Sequence, residues 1–292
     1  MNYENLLLTG ALKVFKDFTY SNFALDFHYD FNNANFQILK EKYNINQIAG
    51  NGDELSKVLN LLRWCCDNVL HNGGSKDVEF IPKTSVDILD YAYQNGYENG
   101  VYCRLQSIVF TECCLALGIK SRIVHCLPFN PNDFDSHVIS IVFINSLNKW
   151  IMVDAGSNGY FLDKNDIILS LLEVRQRLGD NSFIKCNEDI YPNSVQSYEE
   201  KQKGYKYYMA KNLFYFKSML LNTFGSDLIK NQITIYCMPI GFNVYDREIA
   251  YCQYAINNIP EHLANNWKIE LSNFIEQRDK NIMSCQQFFE TI

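Results

Sequence analysis

Three side chains, far apart along the chain, have the types and settings needed for acyl chemistry: Cys103, His137 and Asp154. Cys103 opens a stretch that is apolar at helical spacing, with Leu105, Ile108, Val109, Leu115 and Leu117 on it. The small Cys113 and Ala116 fill the same surface, and Gly118 stands where a helix would stop. The pattern predicts a mostly buried helix with Cys103 at its N-terminal end, just after a Gly-containing turn. Unpaired N–H groups and the helix dipole favour negative charge there. A thiol so placed ionises more easily, and the thiolate is the nucleophile.

A base and its orienting acid come from a hairpin. His137 to Ile144 reads as an apolar strand, Asn145 to Lys149 as the turn, and Trp150 to Asp154 as the return strand. The hairpin brings the outer ends of its strands side by side, so His137 and Asp154 are expected to be neighbours. A carboxylate beside the imidazole fixes its tautomer and supports its charged form. A thiol on the other side completes a Cys–His–Asp row. The backbone N–H of Cys103 is a natural oxyanion donor, and Gln94, a short way upstream in a polar loop, is a second candidate. Arg104 suits a substrate carboxylate or an ion pair. Arg122 suits a structural carboxylate. His28 is assigned a structural part, and His71, His125 and His262 are scattered without metal-ligand spacing, so neither a metal nor any other cofactor is expected.

The surrounding elements follow from periodicity. Residues 1–42 hold a first helix or an irregular packing arm, and Phe23 to Asp30 alternates as a strand. Asp53 to Leu70 is an amphipathic helix with Asp53 as N-cap, ending at His71-Asn-Gly-Gly74. Trp64 on it is assigned to core packing. Ser85 to Gln94 is a second helix, and Ser121 to Leu127 a strand leading out of the Cys103 helix. Further on, Ile167 to Leu178 and Tyr205 to Leu221 are expected as helices and Gln232 to Pro239 as a strand. Asp246 to Asn257 and Pro260 to Phe274 read as helix, or as helix and strand. There is no internal repeat and no convincing linker.

Composition excludes several classes. The chain has 292 residues, 47% hydrophobic and 20% charged, with a net charge of −7. That is globular and slightly acidic, without a basic stripe, so nucleic acid is not an expected partner. Met1 to Tyr20 lacks a basic start followed by a long apolar run, and no stretch is long enough to span a bilayer, so no membrane partner is expected. Ten cysteines include the adjacent pairs Cys65-Cys66 and Cys113-Cys114 on apolar helices and no C-x-x-C. They are expected to be reduced, buried thiols of a cytoplasmic protein.

The order Cys103, then Leu117-Gly-Ile-Lys-Ser-Arg-Ile-Val124, then Ser136-His-Val, then Lys149-Trp-Ile-Met-Val-Asp154 resembles the core of the transglutaminase-like superfamily. The resemblance covers roughly residues 60–165. It implies an α+β, papain-like fold in which an antiparallel sheet packs on the helix carrying the nucleophile. It also implies that Cys103, His137 and Asp154 are the catalytic positions, acting through a thioester in amide or peptide hydrolysis or transamidation. The expected partner is then a peptide, a protein or a small amide. A small-molecule acyl acceptor, as in the arylamine acetyltransferases, is a further option. A non-enzymatic peptide-binding or scaffold module on the same fold is the alternative. Two departures, Ser140-Ile141 after His137-Val and Ala155 after Asp154, are expected to face the substrate and so to alter its choice. The whole chain, 1–292, is read as one domain, with 190–292 an extension packed on the core.

Overall fold

The computed structural model describes residues 3–20, 24–73, 83–95, 100–130, 132–230, 232–242, 244–258, 261–277 and 281–290. The elements up to the sheet are α1 (Tyr3–Val14), β1 (His28–Tyr29), α2 (Asn35–Tyr43), α3 (Ile45–Ala49), α4 (Glu54–Asn68), α5 (Ser85–Asn95) and α6 (Cys103–Ala116). Next come β2 (Ser121–Leu127), β3 (His137–Ile144), β4 (Lys149–Val153), β5 (Phe161–Leu162), α7 (Leu171–Gly179) and β6 (Lys185–Cys186). The last segment holds α8 (Tyr198–Asn212), β7 (Tyr215–Met219), β8 (Leu221–Asn222), β9 (Thr234–Cys237), α9 (Val244–Asn258), α10 (Glu261–Gln277) and α11 (Cys285–Glu290).

The fold is α+β around a five-stranded antiparallel sheet of order β4-β3-β2-β7-β9. β3 is buried along its whole length, so both its faces must be covered. Val142 and Ile144 face one cluster, built with α2 to α6, while Ile139, Ile141 and Phe143 face another, built with α1, α7, α8 and α11. The alternation of side chains along a strand therefore divides the core into two layers. α6 lies against β2 and β3, and twelve of its residues are buried. The segment after residue 190 contributes β7 and β9 to the sheet itself rather than lying against it.

Local chemistry sets several boundaries. The Asp53 carboxylate accepts from the Ser56 N–H at 2.8 Å and starts α4. Capping boxes start α7 at Ser170–Glu173 and α8 at Ser197–Glu200. These correct two expectations. The helix expected from Ile167 begins at Leu171, because Ser170 is its cap. The helix expected over Tyr205 to Leu221 runs from Tyr198 to Asn212, and Tyr215 to Met219 is a strand paired with both β2 and β9. Only His28 and Tyr29 of the expected first strand pair, in parallel with Leu221 and Asn222; Phe23 lies outside the described residues. α4 ends at Asn68, and Gly74 lies outside the described residues. α9 and α10 resolve the helix-or-strand ambiguity as helix, while Pro260 lies outside the described residues. All ten cysteines are free thiols.

Arg122 does not meet a carboxylate, as its sequence suggested. It is fully buried, and its guanidinium lies between the rings of Phe27 and Trp150, at 4.1 and 4.2 Å from their centroids. Its Nη atoms donate to the Tyr29 hydroxyl and the Phe288 carbonyl. Aromatic faces suit a weakly hydrated, delocalised cation. One side chain on β2 thus ties the N-terminal segment, β4 and the C-terminal helix together. Arg122→Ala should leave two buried polar groups unpaired and a cavity between two rings. The expected loss of stability is about 3 kcal/mol or more, read from the urea midpoint at constant m-value; an unchanged midpoint would contradict this account.

Candidate active site

Cys103 is the first residue of α6, with Tyr102 at the N-cap in extended conformation. The approach to it is fixed by a short parallel bridge between Val101 and His71. The Val101 N–H donates to the Leu70 carbonyl and the Asn72 N–H to the Val101 carbonyl, both at 2.8 Å. A Cβ at Gly100 would lie 2.7 Å from the Leu70 oxygen, so this close approach requires glycine. The bridge brings the His71 side chain to the thiol, with which it makes a polar contact.

His137 is the first residue of β3, and Asp154 follows the last residue of β4. The β3–β4 register pairs Ser140 with Val153, so its continuation sets Asp154 opposite Ile139, diagonal to His137 on the same face. His137 Nε2 and Asp154 Oδ2 are 2.7 Å apart, and both side chains are buried. Asp154 Oδ2 also accepts from the Tyr205 hydroxyl at 2.9 Å, and Oδ1 accepts from the Gly156 N–H at 3.0 Å. The Asp154 backbone is pinned by two hydrogen bonds with Gly159, of 2.8 and 3.0 Å. His137 Nδ1 is buried without a hydrogen-bond partner of good geometry and is the ring atom left for Cys103.

The electrostatics follow from these contacts. Burial pushes the Cys103 thiol up, but its contacts with the His137 and His71 side chains and with the Val138 N–H outweigh this and bring it down to about 6. Burial also disfavours a charged His137, yet the Asp154 charge and hydrogen bond, with the Cys103 contact, raise it to about 10. Asp154 is pushed up by burial but held below the usual carboxylate range by the His137 charge and its hydrogen bonds. Thiolate and imidazolium therefore coexist between about pH 6 and pH 10. Burial without such partners acts in the opposite direction, raising the Cys66 and Cys186 thiols to about 12.

Cys103 opens into a cleft of about 480 Å³, whose wall includes His71, Tyr102, His125, Tyr208, Arg247 and Trp267. His125, assigned by sequence to core or surface, lies on this wall. Burial and the charges of Arg104 and Lys217 push its imidazole well down. Arg104 also lines the cleft and pairs with Asp227 at 2.8 Å. Among the described residues, no group of three or more His, Cys, Asp or Glu is placed to hold a metal ion, and no helix is long and apolar enough to cross a membrane.

Three sequence expectations need correction here. Gln94 is exposed in the last turn of α5 and is not among the described residues lining the cleft; His71, which spacing alone did not single out, stands beside the thiol instead. Ser140 does not face the cleft: it is buried against α6, with its hydroxyl 2.9 Å from that of Thr111. Ile141 and Ala155 are likewise core residues, so neither departure lines the cleft. Tyr205 and Tyr208 fall in the helix expected over Tyr205 to Leu221, for which sequence suggests no part in the site. The signal for their placement was their spacing of three on a helix whose Ser197-x-x-Glu200 cap was legible.

Residues 41–155 match the family model of the transglutaminase-like superfamily. No curated protein matches the chain. Among solved structures, a proposed cysteine protease from Cytophaga hutchinsonii is similar at 24% identity and a TM-score of 0.31. That match covers 41% of this chain and 37% of the other, so the chain spans little more than a third of that protein's length. The matched region starts in α2, earlier than residue 60, and ends just after the return strand of the hairpin. Cys103, His137 and Asp154 all fall inside the matched residues 41–155.

Proposed function

We propose that the protein is a cysteine-dependent acyl-transfer enzyme acting on an amide or peptide carbonyl. The observation that carries this reading is the buried His137–Asp154 pair, 2.7 Å apart, beside a thiol that opens into a cleft. The Cys103 thiolate attacks the carbonyl carbon, forming a C–S bond and placing the electron pair on oxygen. Collapse of that oxyanion breaks the C–N bond, and His137 gives its proton to the leaving amine. Neutral His137 then takes a proton from water, or from an acceptor amine, as it attacks the thioester and expels the thiolate. Water completes amide or peptide hydrolysis, and an amine completes transamidation. Asp154 orients the ring throughout. An open cleft next to the row favours this over a scaffold module, which needs neither a depressed thiol nor a raised imidazole.

The oxyanion needs donors. The Cys103 N–H, in the first turn of α6, has no partner within its own helix and is one. His71 is the second in this reading, in place of Gln94, because it already contacts the sulfur to which the oxyanion carbon would be bonded.

Two outcomes test the proposal. A depressed thiol keeps its thiolate as pH falls until about pH 6. Iodoacetamide labelling of Cys103 should therefore be half-maximal near that pH, far faster there than labelling of Cys66 or Cys186. In His137→Ala the half-point should rise toward the ordinary thiol range; labelling no faster than the other cysteines would remove the basis of the proposal. Alkylation passes through no oxyanion, whereas acylation does. His71→Ala, assayed well above pH 6, should slow acylation by activated esters or amides about 100-fold while slowing alkylation only about threefold. Equal losses in both assays would exclude the donor role of His71.

A further inference from the structure

The family match ends at residue 155, yet the row it contains is finished by a helix that follows. α8 presents Tyr205 and Tyr208, one turn apart and so on one face, to the two acid–base groups. The Tyr205 hydroxyl donates to Asp154 Oδ2, the same oxygen that meets His137 Nε2. Tyr208 sets its ring edge-to-face against the His137 imidazole, with centroids 5.0 Å apart, and lines the cleft beside Cys103.

Both placements are built by their surroundings. Tyr205 is 1% exposed, stacked on Phe161 at 5.1 Å and edge-on to Tyr191 at 5.8 Å. It packs against Gly159, where a Cβ would stand 3.2 Å from its hydroxyl, so a side chain at that position would crowd the group that reaches Asp154. Gly159 is also the residue that pins the Asp154 backbone. Farther along α8, Lys211 pairs with Asp133 and Asp135, which ties the loop leading into His137 to the same helix.

We propose that Tyr205 and Tyr208 are positioning residues, acting through Asp154 and His137 respectively, and that α8 is therefore an integral part of the active site rather than an accessory segment. This rests on the reading of Cys103 as nucleophile. The physical case has two parts. A hydroxyl donating to a buried carboxylate stabilises its charged form and fixes its orientation. A tyrosine ring packed edge-to-face on an imidazole excludes water and fixes the plane of the ring better than an aliphatic side chain does. The titratable groups facing the row are His71, Tyr205, Tyr208, Tyr191, Cys66 and Cys126, with Asp135 near the Tyr208 hydroxyl at 3.5 Å and Arg104 and His125 on the cleft wall.

The test uses the full chain and the pH profile of Cys103 alkylation. Without the Tyr205 hydroxyl, Asp154 is free to turn from His137, its hydrogen bond to the imidazolium loosens, and the charged ring holds the Cys103 thiolate less firmly. Tyr205→Phe should therefore move the acid limb up by about one pH unit, a tenfold slower rate below the wild-type midpoint, as the loss of one charge-assisted hydrogen bond implies. Tyr208→Leu should move it in the same direction. In an Asp154→Asn background, Tyr205→Phe should add no further shift, because the hydroxyl acts through that carboxylate. A structural role alone would lower the thermal midpoint and leave the limb in place, and that result overturns the proposal. An additive shift in the Asp154→Asn background overturns it too. If Tyr205→Phe does not fold, Tyr208→Leu, at a half-buried position, decides through His137. A wild-type Cys103 that labels no faster than its neighbours would instead defeat the nucleophile reading on which the proposal stands.

Discussion

A carboxylate as deeply buried as Asp154 is a liability unless its charge is met, and here it is met by His137. The rest of the site depends on that pairing. It holds one ring nitrogen toward Asp154 and leaves the other for the thiol. It also makes the imidazolium stable enough to support a thiolate. The Gly156 N–H and the Tyr205 hydroxyl occupy further acceptor positions of the same carboxylate, so its orientation is set from three directions.

The two core layers meet at this pair. Cys103 belongs to the layer of α2 to α6, while the aromatic support of Asp154 comes from the layer of α7 and α8. The sheet between them is continuous and fully buried along β3, which makes it a stiff divider. At the start of β3, His137 meets Cys103 of α6 on one side and Asp154 with the tyrosines of α8 on the other. The strands β7 and β9 widen the same sheet and form the far side of the cleft together with α9 and α10.

Much of this was legible in the chain. The hairpin and α6 were, because each is defined by a local period and by a stop signal close at hand. The boundary between α8 and β7 was not. Tyr, Phe, Met and Leu suit a buried helix and a buried strand equally, and the aromatic run from Tyr205 to Leu221 has no glycine or proline to divide it. What divides it is pairing with β2 and β9, which is a non-local event. The Ser197 cap was a local signal and would have placed the start of the helix. Arg122 misled for a different reason: a buried cation is normally met by an anion, but here rings, a hydroxyl and a carbonyl suffice.

From the sequence by itself came the chemical types and their order: a thiol at a helix start, an imidazole and a carboxylate at the open end of one hairpin, and no linker or basic stripe. Those are local properties, encoded by periodicity, turns and composition. Tertiary structure alone decided which distant groups join them. His71, Tyr205 and Tyr208 reach the row through a bridge and a helix packing angle, and His125 reaches the cleft wall through a strand register; none of these is written in the neighbours of those residues. Spacing along a strand or helix constrains what lies next to what within an element; which elements meet is decided by burying the apolar faces they share.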